Sequence, residues 1–267
     1  EAGLAGLIVL GGNGSLAGAR ALAGALTATG EPLRVCGVPA SIDNDIGASA
    51  MAIGVDTAMN TIVEACDRIA DTAHSHRRTF IVEVMGRDCG YLAMAAGIAA
   101  SADVVLFREG KKTDEEIIDH VVRAVQAAYG RQPDREGSAA SGRRHLLVIK
   151  SEGVQLDVNR LKAEVDARLS GTLSGVDTRV TVLGHVVRGG APSAFDRLLA
   201  SRLANAAVRA VHEGQDQIMA GWTPPGQAAR PPSSFHPHVT LTPPDQGLAE
   251  TRRMLPADSH LMRRRAK

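Results

Sequence analysis

The chain has 267 residues, 44% of them hydrophobic, and its 30 basic and 29 acidic side chains leave a formal net charge of +1. A chain of this size buries a real core, as one large domain or two small ones, and its balanced charge argues against a general binder of nucleic acid or membranes. No apolar run reaches transmembrane length and no signal peptide is visible. Cys36, Cys66 and Cys89 stand far apart without metal-ligand spacing, which suggests a reducing cytoplasm. The longest basic run, Arg263-Arg264-Arg265, reads as a solvated tail, and the other basic residues form small groups that suit anionic small ligands.

In chain order, short apolar runs alternate with amphipathic stretches. The pattern predicts strands at 7–10, 33–38, 80–85, 103–107, 145–150, 178–183, 216–220 and 238–242. It predicts helices at 15–29, 51–73, 90–100, 114–129, 157–170, 193–213 and 246–255. Alternation of this kind favours mostly parallel sheets covered by helices. Val55, Met59, Ile62, Cys66, Ile69 and Ala73 make one apolar stripe. Thr113 with Glu116 reads as a capping box with Gly130 as the stop. Pro192 and Ser193 open a helix that ends at Gly214. The stretches 131–144 and 223–237 read as loops. Glu1 is followed almost at once by the interior-type strand Leu7-Ile8-Val9-Leu10, so the expectation is a chain with sequence missing upstream.

Two strand ends carry the first chemical signals. Gly11-Gly12-Asn13-Gly14-Ser15 is a glycine turn between a strand and a helix. There, backbone N–H groups and the helix N-terminus favour a phosphate. A tight turn without a ligand is the other reading. A dinucleotide fingerprint is disfavoured, because the next strand, Leu33 to Pro39, ends without the acidic residue that would hold a ribose. Ser41-Ile42-Asp43-Asn44-Asp45 follows that strand and brings two carboxylates, an amide and a hydroxyl into five residues. Phosphoryl transfer to an alcohol asks for a carboxylate base and for oxygens around a phosphate-bridging metal. Asp43 and Asp45 could divide those tasks, or the segment could be an Asp/Asn turn bonded to its own backbone.

Further along, Met85-Gly86-Arg87, Glu152-Gly153 and the run Leu183 to Pro192 also follow strands, and Arg78 and Arg179 stand near strand starts. Arginines and a histidine at such places suit a dianionic phosphate. Glu152, an acceptor when ionised, suits sugar hydroxyls.

Taken in order, Gly-Gly-Asn-Gly-Ser at 11–15, Ser-Ile-Asp-Asn-Asp at 41–45, Glu-Val-Met-Gly-Arg at 83–87, Glu-Gly at 152–153 and Leu-Gly-His-Val-Val-Arg-Gly-Gly-Ala-Pro-Ser-Ala-Phe-Asp-Arg at 183–197 resemble the 6-phosphofructokinase family, from about residue 5 to about residue 220. The resemblance implies an α/β fold of two three-layer subdomains with mostly parallel sheets. Residues 1–54 with about 187–237 would bind nucleotide, and 55–186 with about 238–267 would bind sugar phosphate. It implies transfer of the ATP γ-phosphoryl group to the 1-hydroxyl of fructose 6-phosphate, with Asp43 as base and Ser41 helping to hold substrate. Met85, Gly86, Arg87 and Glu152 would line the sugar site, and His185 and Arg188 would bind the 6-phosphate. Arg78 and Arg179 would reach a neighbouring subunit's site, which implies a homodimer or homotetramer with shared active sites. Gly11, Gly12, Gly14 and Ser15 would cradle the nucleotide phosphates, and Asn13 and Asp45 would hold Mg²⁺. An effector site between subunits would lie near Asp103, Arg143 and Arg144.

Two departures stand out. The family's metal-linked Asp in the glycine turn is Asn13 here, which removes a negative charge beside the metal although a carbonyl ligand remains. The family's first segment, with another glycine-rich nucleotide loop, is absent, so the sequence reads as a fragment. Ala40 stands where pyrophosphate-using relatives have Lys, which favours ATP. The alternative is an impaired or regulatory paralogue that binds sugar phosphate without turnover. A lipid or NAD kinase shares only the glycine turn.

Overall fold

The computed structural model describes residues 4–30, 33–73, 78–130, 145–173, 175–224, 236–243 and 246. The chain divides into two compact units, one made of 1–57 and 191–267 and the other of 58–190.

The first unit holds strands β1 (Gly6–Gly11) and β2 (Arg34–Pro39), helix α1 (Asn13–Ala28) between them, and the opening residues of α2 (Val55–Ala73). The chain re-enters it with α6 (Ala194–His212), β7 (Ile218–Trp222) and β8 (Val239–Thr242). The sheet order is β1-β2-β7-β8, with the first three strands parallel and β8 antiparallel to β7. Successive side chains of β2 point to opposite faces, as pleating requires. Val35 packs with Ala19 and Ala23 of α1, whereas Cys36 and Val38 pack with Leu199, Leu203 and Ala206 of α6. Helix, sheet and helix thus form three layers.

The second unit contains the rest of α2, then β3 (Arg78–Val84), α3 (Tyr91–Ala99), β4 (Val104–Leu106), α4 (Asp114–Tyr129), β5 (His145–Ser151), α5 (Val158–Leu169) and β6 (Asp177–Val182). Its sheet, in the order β4-β5-β3-β6, is parallel throughout. Ile117, Ile118, Val121 and Val125 of α4 and Leu161 and Val165 of α5 close one core with Ile81, Val104, Leu146 and Val148. Strands buried in this way explain the near-continuous apolar runs of the sequence.

Local signals act as expected in several places. The Thr113 hydroxyl accepts from the Glu116 N–H at 3.3 Å while the Glu116 carboxylate accepts from the Thr113 N–H at 2.8 Å. On α2, Val55, Ile62 and Cys66 are buried along one stripe. All three cysteines are unbridged and buried. Burial pushes the Cys36 thiol up to about 12 and the Cys66 thiol up to about 11, so both are packing residues.

Three expectations are corrected. The helix predicted from 51 begins at Val55, because Gly54 takes φ +98° and its N–H goes to Asp196. The strand expected at 216–220 runs from Ile218 to Trp222, after Gln217 turns the backbone at φ +48°. The strand Val239–Thr242, part of the stretch from 238 expected in the second unit, instead joins the sheet of the first. β8 pairs with β7, Trp222 opposite Val239, and the Thr223 N–H donates to the His238 carbonyl at 2.9 Å. Burial of Val239 beside α6 and β7 rewards that pairing. The helix predicted at 246–255 and the loop at 131–144 lie outside the described residues, apart from 246.

One buried acid ties the first unit together. Asp196, 3% exposed near the start of α6, accepts from the Gly54 N–H at 2.9 Å and from the Thr57 N–H at 2.8 Å, at the head of α2. Its own helix is capped by Ser193, whose hydroxyl also donates to Asp56 at 2.6 Å. Asp196→Ala leaves buried donors unsatisfied. It should lower stability by about 3 kcal/mol, readable as a drop in the urea midpoint of unfolding with little change in slope.

Candidate active site

The first unit places the nucleotide-type residues at the ends of β1 and β2. The two strands run in register, Gly11 opposite Pro39, and the Ala40 N–H donates to the Gly11 carbonyl at 3.0 Å. The glycine turn and the Ser41–Asp45 loop therefore leave the sheet side by side. A Cβ built on Gly12 would lie 3.7 Å from the Ser41 Cβ. Helix α1 starts at Asn13 with no acidic residue in its first turn and no side-chain cap, and Gly14 and Ser15 are exposed. The open N–H groups and the positive end of the helix dipole there favour an anion over a cation.

Asn13, Ser41 and Asp45 meet directly. The Asn13 side-chain amide donates to one Asp45 carboxylate oxygen at 2.8 Å, and the Ser41 hydroxyl donates to the other at 3.1 Å. The Asn13 Oδ1 is buried without a hydrogen-bond partner. Asp43 is half-buried on the same loop. Between the two acids, Asn44 sits at φ +52° and 1% exposure. Its side chain donates to the Ala50 carbonyl at 3.1 Å and accepts from the Ala52 N–H at 3.0 Å. Asn44 is thus the structural member of the trio, and it holds the two carboxylates in place. The oxygen set of Asp45 and the orphaned Asn13 Oδ1 fits a hard cation such as Mg²⁺, which uses few protein ligands and takes phosphate oxygens and water for the rest. Among the described residues no cluster of three His, Cys, Asp or Glu offers a closed metal cage.

The second unit groups the predicted sugar-phosphate residues at the C-terminal ends of β3, β5 and β6, where parallel α/β sheets bind ligands. Arg87 follows β3, Glu152 follows β5, and His185 and Arg188 lie on a 3₁₀ turn, Gly184–Arg188, after β6; all four are exposed. Val187, 1% exposed, anchors that turn. β5 and β6 flank β3, so the three turns are neighbours. They are also bonded together. The Glu152 N–H donates to the Val84 carbonyl at 2.8 Å, and the Leu183 N–H donates to the Glu83 carbonyl at 3.0 Å. Two glycines are required here. Gly86 has φ +121°, and a Cβ on Gly153 would come within 2.1 Å of the Arg87 carbonyl oxygen. Met85 is buried at 5% and serves as the floor rather than as an exposed contact.

Arg78 and Arg179 lie elsewhere. Arg78 opens β3, at the opposite end of the sheet from Arg87, about 20 Å away by strand rise. Both arginines pair with Asp177 on β6, Arg179 at 2.7 Å and Arg78 at 3.7 Å. The chain does not bring them to its own turns that carry Arg87, Glu152, His185 and Arg188. Arg143 and Arg144 lie outside the described residues, while Asp103 accepts from the Leu147 N–H at 3.0 Å. A separate pocket of about 180 Å³ beside Phe107, Lys112, Ile117 and Leu156 contains none of the predicted sugar-phosphate side chains. It is smaller than the roughly 300–1,000 Å³ usual for small-molecule sites.

Sequence reasoning assigns no site role to Ser151, whose hydroxyl bonds the Gly86 carbonyl, or to Lys150, which pairs with Glu83 of the 83–87 motif. The one available signal was a lysine inside the apolar run Leu146-Leu147-Val148-Ile149-Lys150.

Fold and geometry together define a two-unit α/β protein with a glycine turn at a helix N-terminus in one unit and, in the other, neighbouring strand-end turns that carry Arg87, Glu152, His185 and Arg188. Comparison with known proteins gives the family: the phosphofructokinase family model matches residues 1–211, and the chain belongs to that family. It is 44% identical over 221 residues to the ATP-dependent 6-phosphofructokinase of Natranaerobius thermophilus, a match covering 83% of this chain and 61% of the relative. It is 45% identical over 214 residues to that of Lysinibacillus sphaericus, covering 80% of this chain and 59% of the relative. The solved phosphofructokinase of Saccharomyces cerevisiae superposes with a TM-score of 0.79 at 31% identity, covering 99% of this chain and 35% of that one. The chain thus spans about 60% of the length of the curated relatives it matches.

Replacing Asn13 by Asp would set two carboxylates where one hydrogen bond now stands. Without divalent cation the Asn13→Asp variant should melt a few degrees lower, a loss of about 1 kcal/mol from like-charge contact. Millimolar Mg²⁺ should restore it, and should shift the wild type less. A differential scanning fluorimetry series with and without Mg²⁺ checks both.

Proposed function

We propose that the full-length protein is an ATP-dependent 6-phosphofructokinase, transferring the γ-phosphoryl group of ATP to the 1-hydroxyl of fructose 6-phosphate in glycolysis. The observation that carries the reading is the exposed set Arg87, Glu152, His185 and Arg188 on three bonded neighbouring turns. The Arg188 guanidinium and the His185 imidazole suit the dianionic 6-phosphate, while Arg87 lines the sugar site and the Glu152 carboxylate suits the sugar hydroxyls.

In this reading Asp43 accepts the proton of the 1-hydroxyl as that oxygen attacks, and Ser41 helps to hold the substrate. Gly11, Gly12, Gly14 and Ser15 present backbone N–H groups and a helix N-terminus to the nucleotide phosphates. Asp45 and the Asn13 carbonyl would hold Mg²⁺, which would neutralise charge on the transferring phosphates. The donor is ATP rather than pyrophosphate, as Ala40 leaves nucleotide space and the curated relatives are named ATP-dependent. Three buried, unbridged cysteines suit a cytoplasmic enzyme. Among the described residues no helix is long and apolar enough to cross a membrane. Arg78 and Arg179, set away from their own chain's turns, would serve the site of a second copy in a homo-oligomer. A regulatory paralogue without turnover is the weaker reading, since the sugar-phosphate residues all stand.

In a coupled assay the full-length protein should phosphorylate fructose 6-phosphate with ATP and not with pyrophosphate. Asp43→Asn should lower kcat by about 10²–10⁴-fold, the usual contribution of a positioned base, with KM for fructose 6-phosphate changed only slightly. An inactive wild type that still binds the sugar phosphate would favour the regulatory reading.

A further inference from the structure

Lys150 is the largest of the fully buried side chains, 1% exposed, on the central part of a parallel sheet. Its ammonium donates to the Glu83 carboxylate at 2.7 Å, across the β3–β5 register, and more weakly to the Ser151 carbonyl at 3.4 Å. An apolar cross-strand pair would fill the same space without desolvating two charges. What the ion pair adds is direction: it fixes β3 against β5 one residue before both strands end.

Ser151 follows immediately and is 0% exposed. Its hydroxyl donates to the Gly86 carbonyl at 2.6 Å and accepts from the Gly153 N–H at 3.3 Å. One side-chain oxygen therefore bonds both to the turn that carries Arg87 and to the turn that carries Glu152. The third turn is reached through Glu83, whose backbone carbonyl takes the Leu183 N–H ahead of His185 and Arg188. Through these bonds Glu83 and Ser151 reach every turn of the cluster, with Lys150 and Ser151 buried and Glu83 half-buried.

We infer that Ser151, with the Lys150–Glu83 pair beside it, is a positioning residue for sugar-phosphate recognition, setting the spacing of Arg87 and Glu152. This rests on the phosphofructokinase reading above. A bidentate cluster tolerates little displacement, since errors near 1 Å can cost on the order of 10²-fold. Ser151→Ala removes one oxygen with almost no change in volume. It leaves the Gly86 carbonyl and the Gly153 N–H without that partner.

The test uses the full-length protein, with fructose 6-phosphate affinity measured by calorimetry and KM for each substrate by steady-state kinetics. Ser151→Ala should raise KM and Kd for fructose 6-phosphate about tenfold, with KM for ATP within twofold, well below its own melting temperature. The double variant Glu83→Gln with Lys150→Met, which leaves no unpaired charge, should shift the same constants in the same direction. If both variants melt lower but keep the wild-type sugar-phosphate constants, the role is structural and the inference fails. If the wild type itself binds no fructose 6-phosphate, the proposed function fails, and this inference with it.

Discussion

Apart from β8, the strands of both units pair in parallel register, and the site depends on that constraint first. Gly11 lies opposite Pro39, so the glycine turn and the Ser41–Asp45 loop start at one level and Asn13 can reach Asp45. In the other unit Glu83 lies opposite both Lys150 and Val182, so the turns after β3, β5 and β6 also start at one level. A slip of one residue in any of these pairs would reverse every side chain between the two faces of the sheet. It would also separate groups that now meet within 3 Å. The apolar layers are what forbid the slip. Val35 must meet α1 while Cys36 and Val38 meet α6.

Within each motif, chemistry and support are divided among adjacent residues. In Asp43-Asn44-Asp45 the middle residue is buried and left-handed, and it knots the loop so that its neighbours hold still. In the run 183–197, His185 and Arg188 are exposed while Ser193 and Asp196 bind helix starts. Met85, between strand and turn, is buried, and Arg87 two residues on is exposed. A motif match in this fold is therefore not a set of ligand contacts. Asn44, Ser193 and Asp196 are scaffold, fixed by backbone geometry and hydrogen bonds.

Much of this was legible beforehand. Strand and helix order followed from periodicity. The Thr113–Glu116 box appears as predicted, and the site residues were named from strand-end chemistry and family resemblance. The misplaced pieces share a physical reason, which is that they depend on partners distant in sequence. Gly54 ends its turn where it does because Asp196, 142 residues on, takes its N–H. The membership of β8 in the first unit depends on pairing with β7 across a proline-rich stretch that carries no sheet signal of its own. Ser151 looks like any strand-end serine until the Gly86 carbonyl, 65 residues earlier, is seen to accept its hydrogen bond. Asn13 could be read as a missing charge. That its amide would be turned toward Asp45, leaving its carbonyl oxygen buried and unused, could not.

The central claim is that the turns at the C-terminal ends of β3, β5 and β6 are a sugar-phosphate site. Hydrogen–deuterium exchange of the full-length protein with and without fructose 6-phosphate tests it most directly. The account predicts slower exchange on binding at 86–87, 152–154 and 184–188, with no protection in the part of α4 near Lys112. Protection confined to other segments, or exchange unchanged at those three turns under saturating ligand, would contradict it.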